Sequence, residues 1–250
     1  MTASVFDEQR FNESLFFPRP ASGVAPPGAR DHFVDVAGAT LHVREHGAAG
    51  RPVLLFHGNG EVVDDYDGAA ALFAAAGLQL WVTDFRGYGL STGAPTLRDA
   101  LCDAPPVVEA VHALAKRPLV VMGRSLGGQC AAELCQAPRA SVEAYVFESA
   151  ATDLHALVRR RGYTDVTLSA EDLAHFDPLP KLARCTAPTL FLHGAKDELI
   201  VPAEAQRGHA TVAGSQLVFV EGRGHNDLSL SASYWAALSD FAARLPSPGR

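Results

Sequence analysis

The sequence is short of positive charge. Its 21 basic residues face 28 acidic ones, a net 21 − 28 = −7 with histidine neutral. That balance excludes the basic face a nucleic-acid binder or an anionic-membrane anchor needs. Long hydrophobic runs are missing too: stretches such as 118–123 fall far below the roughly 20 residues that cross a bilayer. The first ten residues carry acidic side chains and no apolar core, so no secretory signal is expected. Cysteine is scarce, 4 in 250 residues, with no C-x-x-C spacing. Such thiols are expected to be free and buried in a reducing cytoplasm, neither a disulfide framework nor a catalytic site. No His/Cys cluster has zinc spacing and no H-E-x-x-H or P-loop occurs, so neither a metal nor a nucleotide cofactor is implied.

What is present is an ordinary globular composition, 48% hydrophobic and 20% charged, which rules out disorder. From residue 53 onward short apolar runs recur at 53–57, 80–84, 119–123, 144–148, 189–193 and 216–220. Longer Ala/Leu-rich stretches separate most of them. Strands that read as continuous apolar runs are covered on both faces, so this rhythm predicts a mostly parallel α/β sheet with helices on both sides. Before it, His32–Val36 and Thr40–Glu45 alternate with period two across a tight link, an antiparallel hairpin. Residues 1–31 are expected to form an irregular arm whose aromatics dock on the body, and 32–250 the main domain. The pair Pro105-Pro106 predicts two helices within 96–117. Residues 150–187 separate two strands by too much for a simple crossover and predict a small helical lid.

The chemistry gathers at strand ends. Gly123-Arg-Ser-Leu-Gly127 follows an apolar strand and opens a helix, which forces Ser125 onto a tight turn above the sheet edge. A second pentad, Gly89-Leu-Ser-Thr-Gly93, fits the same pattern, but no helix follows it, so Ser91 is the weaker candidate. A serine hydroxyl needs a base, and the base an orienting acid. His225 lies in a glycine-flanked loop after the last strand, at the edge where Ser125 emerges. His32, His42, His112, His193 and His209 sit in the hairpin, in helices or at a strand end and read as structural. Asp197 follows the penultimate strand and is the expected acid, with Glu148 its nearest rival. The strand 53–56 runs into His57-Gly-Asn-Gly60, where the Asn59 backbone N–H, paired with that of Leu126, would hold an oxyanion. A dinucleotide reading of Gly58-x-Gly60 with Asp84 lacks its third glycine and leaves Ser125, Asp197 and His225 without a role.

His57-Gly-Asn-Gly60, Asp84-Phe-Arg-Gly-Tyr-Gly-Leu-Ser91, Gly123–Gly127, the Gly194–Pro202 loop and Gly224-His-Asn226 occur in one order. Together, over about 32–245, they resemble the α/β-hydrolase superfamily, in particular its small, minimally lidded serine hydrolases. The resemblance implies the α/β-hydrolase fold: eight strands with an antiparallel second strand, a Ser–Asp–His triad and no cofactor. Asp84 is then a structural turn residue.

The expected activity is hydrolysis of carboxylic esters or thioesters of modest size in a fairly open cleft, through an acyl-enzyme. The expected partner is a small ester or acyl substrate. Amide or short-peptide hydrolysis, acyl transfer to another acceptor, and a non-catalytic binding module are the alternatives. Arg159-Arg-Arg161 is read first as a solvated helix face and second as a contact for an acidic substrate.

Overall fold

The computed structural model describes residues 4–47 and 49–246. After a 3-10 turn at Val5–Asp7 and helix α1 (Gln9–Leu15), the hairpin β1 (Ala29–Val36) and β2 (Ala39–His46) leads into the main sheet. The sheet continues with β3 (Arg51–Phe56), β4 (Leu78–Thr83), β5 (Leu119–Arg124), β6 (Val142–Glu148), β7 (Thr189–Gly194) and β8 (Gln216–Val220). Their order is β1-β2-β4-β3-β5-β6-β7-β8. Only β2 runs antiparallel to its neighbours, and β3 through β8 are parallel. This is the α/β-hydrolase arrangement the motifs imply.

The apolar runs split by parity, as a strand's two-residue period requires. On β3, Val53 and Leu55 join Leu80, Val82, Val120 and Met122 on one face. That face is covered by α2 (Ala70–Ala75) and α9 (Ala232–Arg244), through Phe73, Tyr234 and Phe241. Leu54 and Phe56 join Trp81, Val121 and Phe147 on the other. There α3 (Leu97–Ala115) and α4 (Gly127–Leu134) pack. Helix α8 (Pro202–Thr211) lies beside β7.

Two expectations need correction. Residues 97–115 form one helix, not two. The face made by Leu97, Leu101, Ala104, Val108 and Val111 is buried on both sides of the proline pair, and Pro106 points to solvent. Packing along that face outweighs the hydrogen bonds the prolines remove. The arm at 1–31, described here from residue 4, is likewise not irregular throughout. It holds the 3-10 turn and α1, and its last residues already belong to β1. Most of its aromatics are core: Phe6, Phe11 and Phe16 are buried, and Phe6 packs on Phe176 with ring centroids 4.1 Å apart, whereas Phe17 is exposed, against expectation. Asn12 ties the arm down, with Nδ2 donating to the Phe6 carbonyl at 2.8 Å and Oδ1 accepting from the Leu97 N–H at 2.9 Å.

Between β6 and β7 three short helices, α5 (Leu154–Arg160), α6 (Ala170–Phe176) and α7 (Pro178–Leu182), occupy the long insertion. Among the cysteines, Cys102 is exposed, against expectation, while Cys130, Cys135 and Cys185 are buried; all four are free. No helix among the described residues is long and apolar enough to cross a membrane.

Candidate active site

The parallel register aligns the carboxyl ends of β3, β5, β6, β7 and β8, so the loops after them share one edge. After β5 the chain turns into α4 within three residues. Ser125 sits at φ +50°, the left-handed region that side chains avoid. The turn depends on two glycines. A Cβ on Gly123 would stand 2.5 Å from the Gly127 carbonyl oxygen, and one on Gly127 would overlap that of Phe56. The Ser125 N–H is fixed by the Glu148 carbonyl at 2.8 Å.

Two neighbouring loops meet this serine. His225 Nε2 lies 3.0 Å from Ser125 Oγ, and His225 Nδ1 lies 2.8 Å from Asp197 Oδ2. The Asp197 side chain is fully buried, whereas that of His225 keeps 10% exposure. Burial alone would push the Asp197 carboxyl up. Hydrogen bonds from His225 and the Ile200 N–H outweigh that and hold it below the usual carboxylate range. A second N–H, from Leu199, reaches the same Oδ1 at 3.0 Å. His193, read as structural from the sequence, packs behind the acid, with Nε2 2.7 Å from the Ile200 carbonyl and 3.3 Å from Asp197 Oδ2. Burial lowers its pKa and so favours its neutral ring.

The backbone N–H groups of Asn59 and Leu126 make no hydrogen bond to protein among the described residues. The Asn59 side chain has a role that no local sequence signal announces. Its Nδ2 donates to the Leu15 carbonyl at 2.6 Å, and its Oδ1 accepts from the Phe17 N–H at 3.0 Å and the Tyr88 hydroxyl at 2.7 Å. The glycine-rich loop and the N-terminal arm are therefore locked together.

Arg124, beside the serine, is the hub of a second assembly. It pairs with Glu61 at 2.5 Å and Glu148 at 3.2 Å, and its Nη2 donates to Asn226 Oδ1 at 2.9 Å and the His225 carbonyl at 3.3 Å. Tyr234 donates to Glu148 Oε2 at 2.7 Å. Burial works against the Arg124 charge, and the two carboxylates more than offset it. Glu148, the rival acid, is thus committed to Arg124 and Tyr234. Ser91, the rival serine, lies in the loop after β4 and accepts from the His42 N–H of the hairpin at 2.8 Å. Asp84 is buried against His42, His57 and the Val63 N–H. It has no surface to offer a dinucleotide.

A cavity of about 40 Å³ opens beside Ser125. It is not the fairly open cleft expected from a short lid. Leu15 of the arm, Leu157, Arg160 and Arg161 at the α5 end, and Leu199 and Ile200 of the acid loop close around it. Arg160 and Arg161 are therefore not a solvated face; only Arg159 is exposed. Among the described residues no cluster of His, Cys, Asp and Glu is arranged to hold a metal ion.

Residues 47–176 match the family described as serine aminopeptidase, S33. The chain is 26% identical over 220 residues to protein bem46 of Schizosaccharomyces pombe, covering 81% of this chain and 71% of that one. It is 27% identical over 220 residues to the human alpha/beta hydrolase domain-containing protein 17B, covering 82% and 71%. Among solved structures, an esterase of Pyrococcus furiosus shares the fold at a TM-score of 0.73 and 18% identity, covering 91% of this chain and 98% of that one. With more than half of its residues inside the family match and its sheet built in the same order, the chain belongs to the serine aminopeptidase S33 family and is an α/β hydrolase.

Proposed function

We propose that this chain hydrolyses small carboxylic esters or thioesters through an acyl-enzyme on Ser125. His225 Nε2 takes the Ser125 proton as Oγ attacks the substrate carbonyl, and the C–O or C–S bond to the leaving group breaks as His225 returns that proton to it. Water then attacks the acyl-enzyme, giving its proton to His225, and the acid departs as Ser125 is reprotonated. Asp197 holds the ring in the tautomer with its proton on Nδ1 and balances the imidazolium. The N–H groups of Asn59 and Leu126 would receive the oxyanion, and α4 directs its positive end to the same point.

The observation that carries this reading is His225 standing between Ser125 and Asp197 at 3.0 and 2.8 Å. The family description names aminopeptidases, which must bind a cationic α-amine beside the scissile amide. The cavity at Ser125 has two guanidinium side chains and no carboxylate among its lining residues. Like charges repel, so this electrostatic setting favours esters over free-amine peptides. The small volume favours short acyl groups.

Intact-mass measurement after treatment with a broad fluorophosphonate tests the assignment. The expected result is a single adduct on the wild type that disappears in Ser125→Ala. An unlabelled, well-folded wild type, or an equally labelled variant, would remove Ser125 from the chemistry and bring a binding role forward.

A further inference from the structure

We propose that Arg161 is the specificity residue of this site and that the preferred substrate carries a carboxylate on its acyl group, a few atoms from the reacting carbonyl. The inference rests on Ser125 being the nucleophile. It starts from an imbalance of charge in the cavity beside that serine. Arg160 and Arg161 both line it. Arg160 is neutralised: its Nη1 lies 2.7 Å from Glu204 Oε1, and Glu204 is itself buried and held by the Thr152 and Asp153 N–H groups.

Arg161 has no such partner. Its Nη1 donates to a neutral acceptor, the Ser14 carbonyl of the arm, at 2.9 Å. No carboxylate of the described residues lies within ion-pair distance of it. Its Nε, like Nη2 of Arg160, is buried and has no hydrogen-bond partner among the described residues. A guanidinium does not give up its proton in proteins, so the charge stays. Burial and then repulsion from Arg160 both disfavour that charge.

A half-buried cation with an unused donor is costly unless an anion completes it. Here the missing anion would sit in the cavity that holds Ser125, among Leu15, Leu157, Leu199 and Ile200. Those apolar walls lower the local dielectric and strengthen any ion pair formed. The cavity is small and its two cations lie beside Ser125, so carbonyl and anion must belong to one short acyl group. A half-ester of a four- or five-carbon dicarboxylic acid fits those demands. The planar, forked guanidinium matches a carboxylate better than any ammonium would.

The test compares two esters of nearly equal shape, monoethyl glutarate and ethyl pentanoate, with released ethanol followed by NMR. A charge-assisted hydrogen bond predicts a kcat/KM ratio of roughly 10 to 100 in favour of the anionic ester. Arg161→Gln is expected to bring the ratio to about one or below, and Arg161→Lys, which keeps the charge and a donor for Ser14, to an intermediate value. Arg159→Gln, on the exposed side of α5, should leave the ratio unchanged. A wild-type ratio of one or less, or a ratio preserved in Arg161→Gln, overturns the proposal while leaving the nucleophile intact. Calorimetric titration of Ser125→Ala with monoethyl glutarate separates the two readings. If neither ester is cleaved, binding that disappears in the Ser125→Ala/Arg161→Gln variant upholds the anion site and removes the nucleophile. Absence of binding overturns the anion site.

Discussion

The molecule contains two sets of serine, histidine and aspartate, and the two are built differently. Ser125, His225 and Asp197 stand at the carboxyl edge of the sheet. Ser91, His42 and Asp84 stand near its other end, in the β2 and β4 region, with a pentad of the same glycine spacing. The rings differ in what faces them. His225 presents one nitrogen to a carboxylate and the other to a hydroxyl. His42 has carboxylates at both, Asp84 at 2.9 Å and Asp31 at 2.9 Å. Burial opposes its charge, but the two carboxylates outweigh burial and raise its pKa, which favours the protonated ring. Ser91 Oγ meets only backbone, accepting from the His42 N–H at 2.8 Å and donating to the Asp84 carbonyl at 3.3 Å. A hydroxyl in place of one carboxylate is what separates the surroundings of the two rings.

Paired substitutions break this comparison at its widest point. Ser125→Ala should lower ester kcat by on the order of 10⁴ or more, with Ser91→Ala within about threefold of wild type. Steady-state kinetics on matched folded concentrations checks both. Asp197→Asn should drop kcat by roughly 10⁴ through the wrong tautomer and hardly move the urea midpoint. Asp84→Asn should do the reverse, costing about 3 kcal/mol of stability as His42 loses a buried partner, with activity per folded molecule largely kept. Equal effects of the two on kcat would erase the distinction.

Arg124 tests how firmly the reacting set is held. It touches the His225 carbonyl and Asn226, so it is a positioning residue. Arg124→Gln is expected to reduce kcat by about 10- to 100-fold with KM near its original value, partly restored in Arg124→Lys. A fall confined to KM would assign it to substrate binding.

The smallest effect is the slope of stability with pH. A raised folded pKa at His42 contributes stability that is full below about 6.5, its unfolded value, and is lost as pH rises through the folded value. Asp84, held down to about 2, contributes above the ordinary carboxylate pKa and loses it as pH falls toward that value. Above pH 6.5 the His42 contribution should decline by at most about 1.4 kcal/mol per pH unit until the folded ring has lost its proton, and His42→Gln should flatten that slope. Urea titrations at a series of pH values measure it.

Much of this arrangement was legible in the sequence because its signals are local. Each apolar run marks a strand, and the candidate triad lies within five residues of a strand end, at Ser125, Asp197 and His225. The rejection of Ser91 was legible for the same reason, since no helix follows it. What the sequence withheld depends on partners far away. Nothing around Leu15 announces Asn59, 44 positions on, and nothing in Arg159–Arg161 says which side of the helix faces the serine. The Arg124 hub escaped because Glu61, Glu148 and Tyr234 meet only after the sheet has closed. Pro105-Pro106 misled because a helix break is a local preference, and burial of the face beneath them is not local.

The docking of the arm bears on how the chain is made. Phe6 leaves the ribosome well before its seat is built: Ser4 bonds to Asp172, 168 residues further on, and Phe6 packs on Phe176. At about 5–20 residues per second that ring waits roughly 10 to 30 s without its native cover. The segment that finally walls the pocket is therefore also the part of the nascent protein most in need of a chaperone's protection.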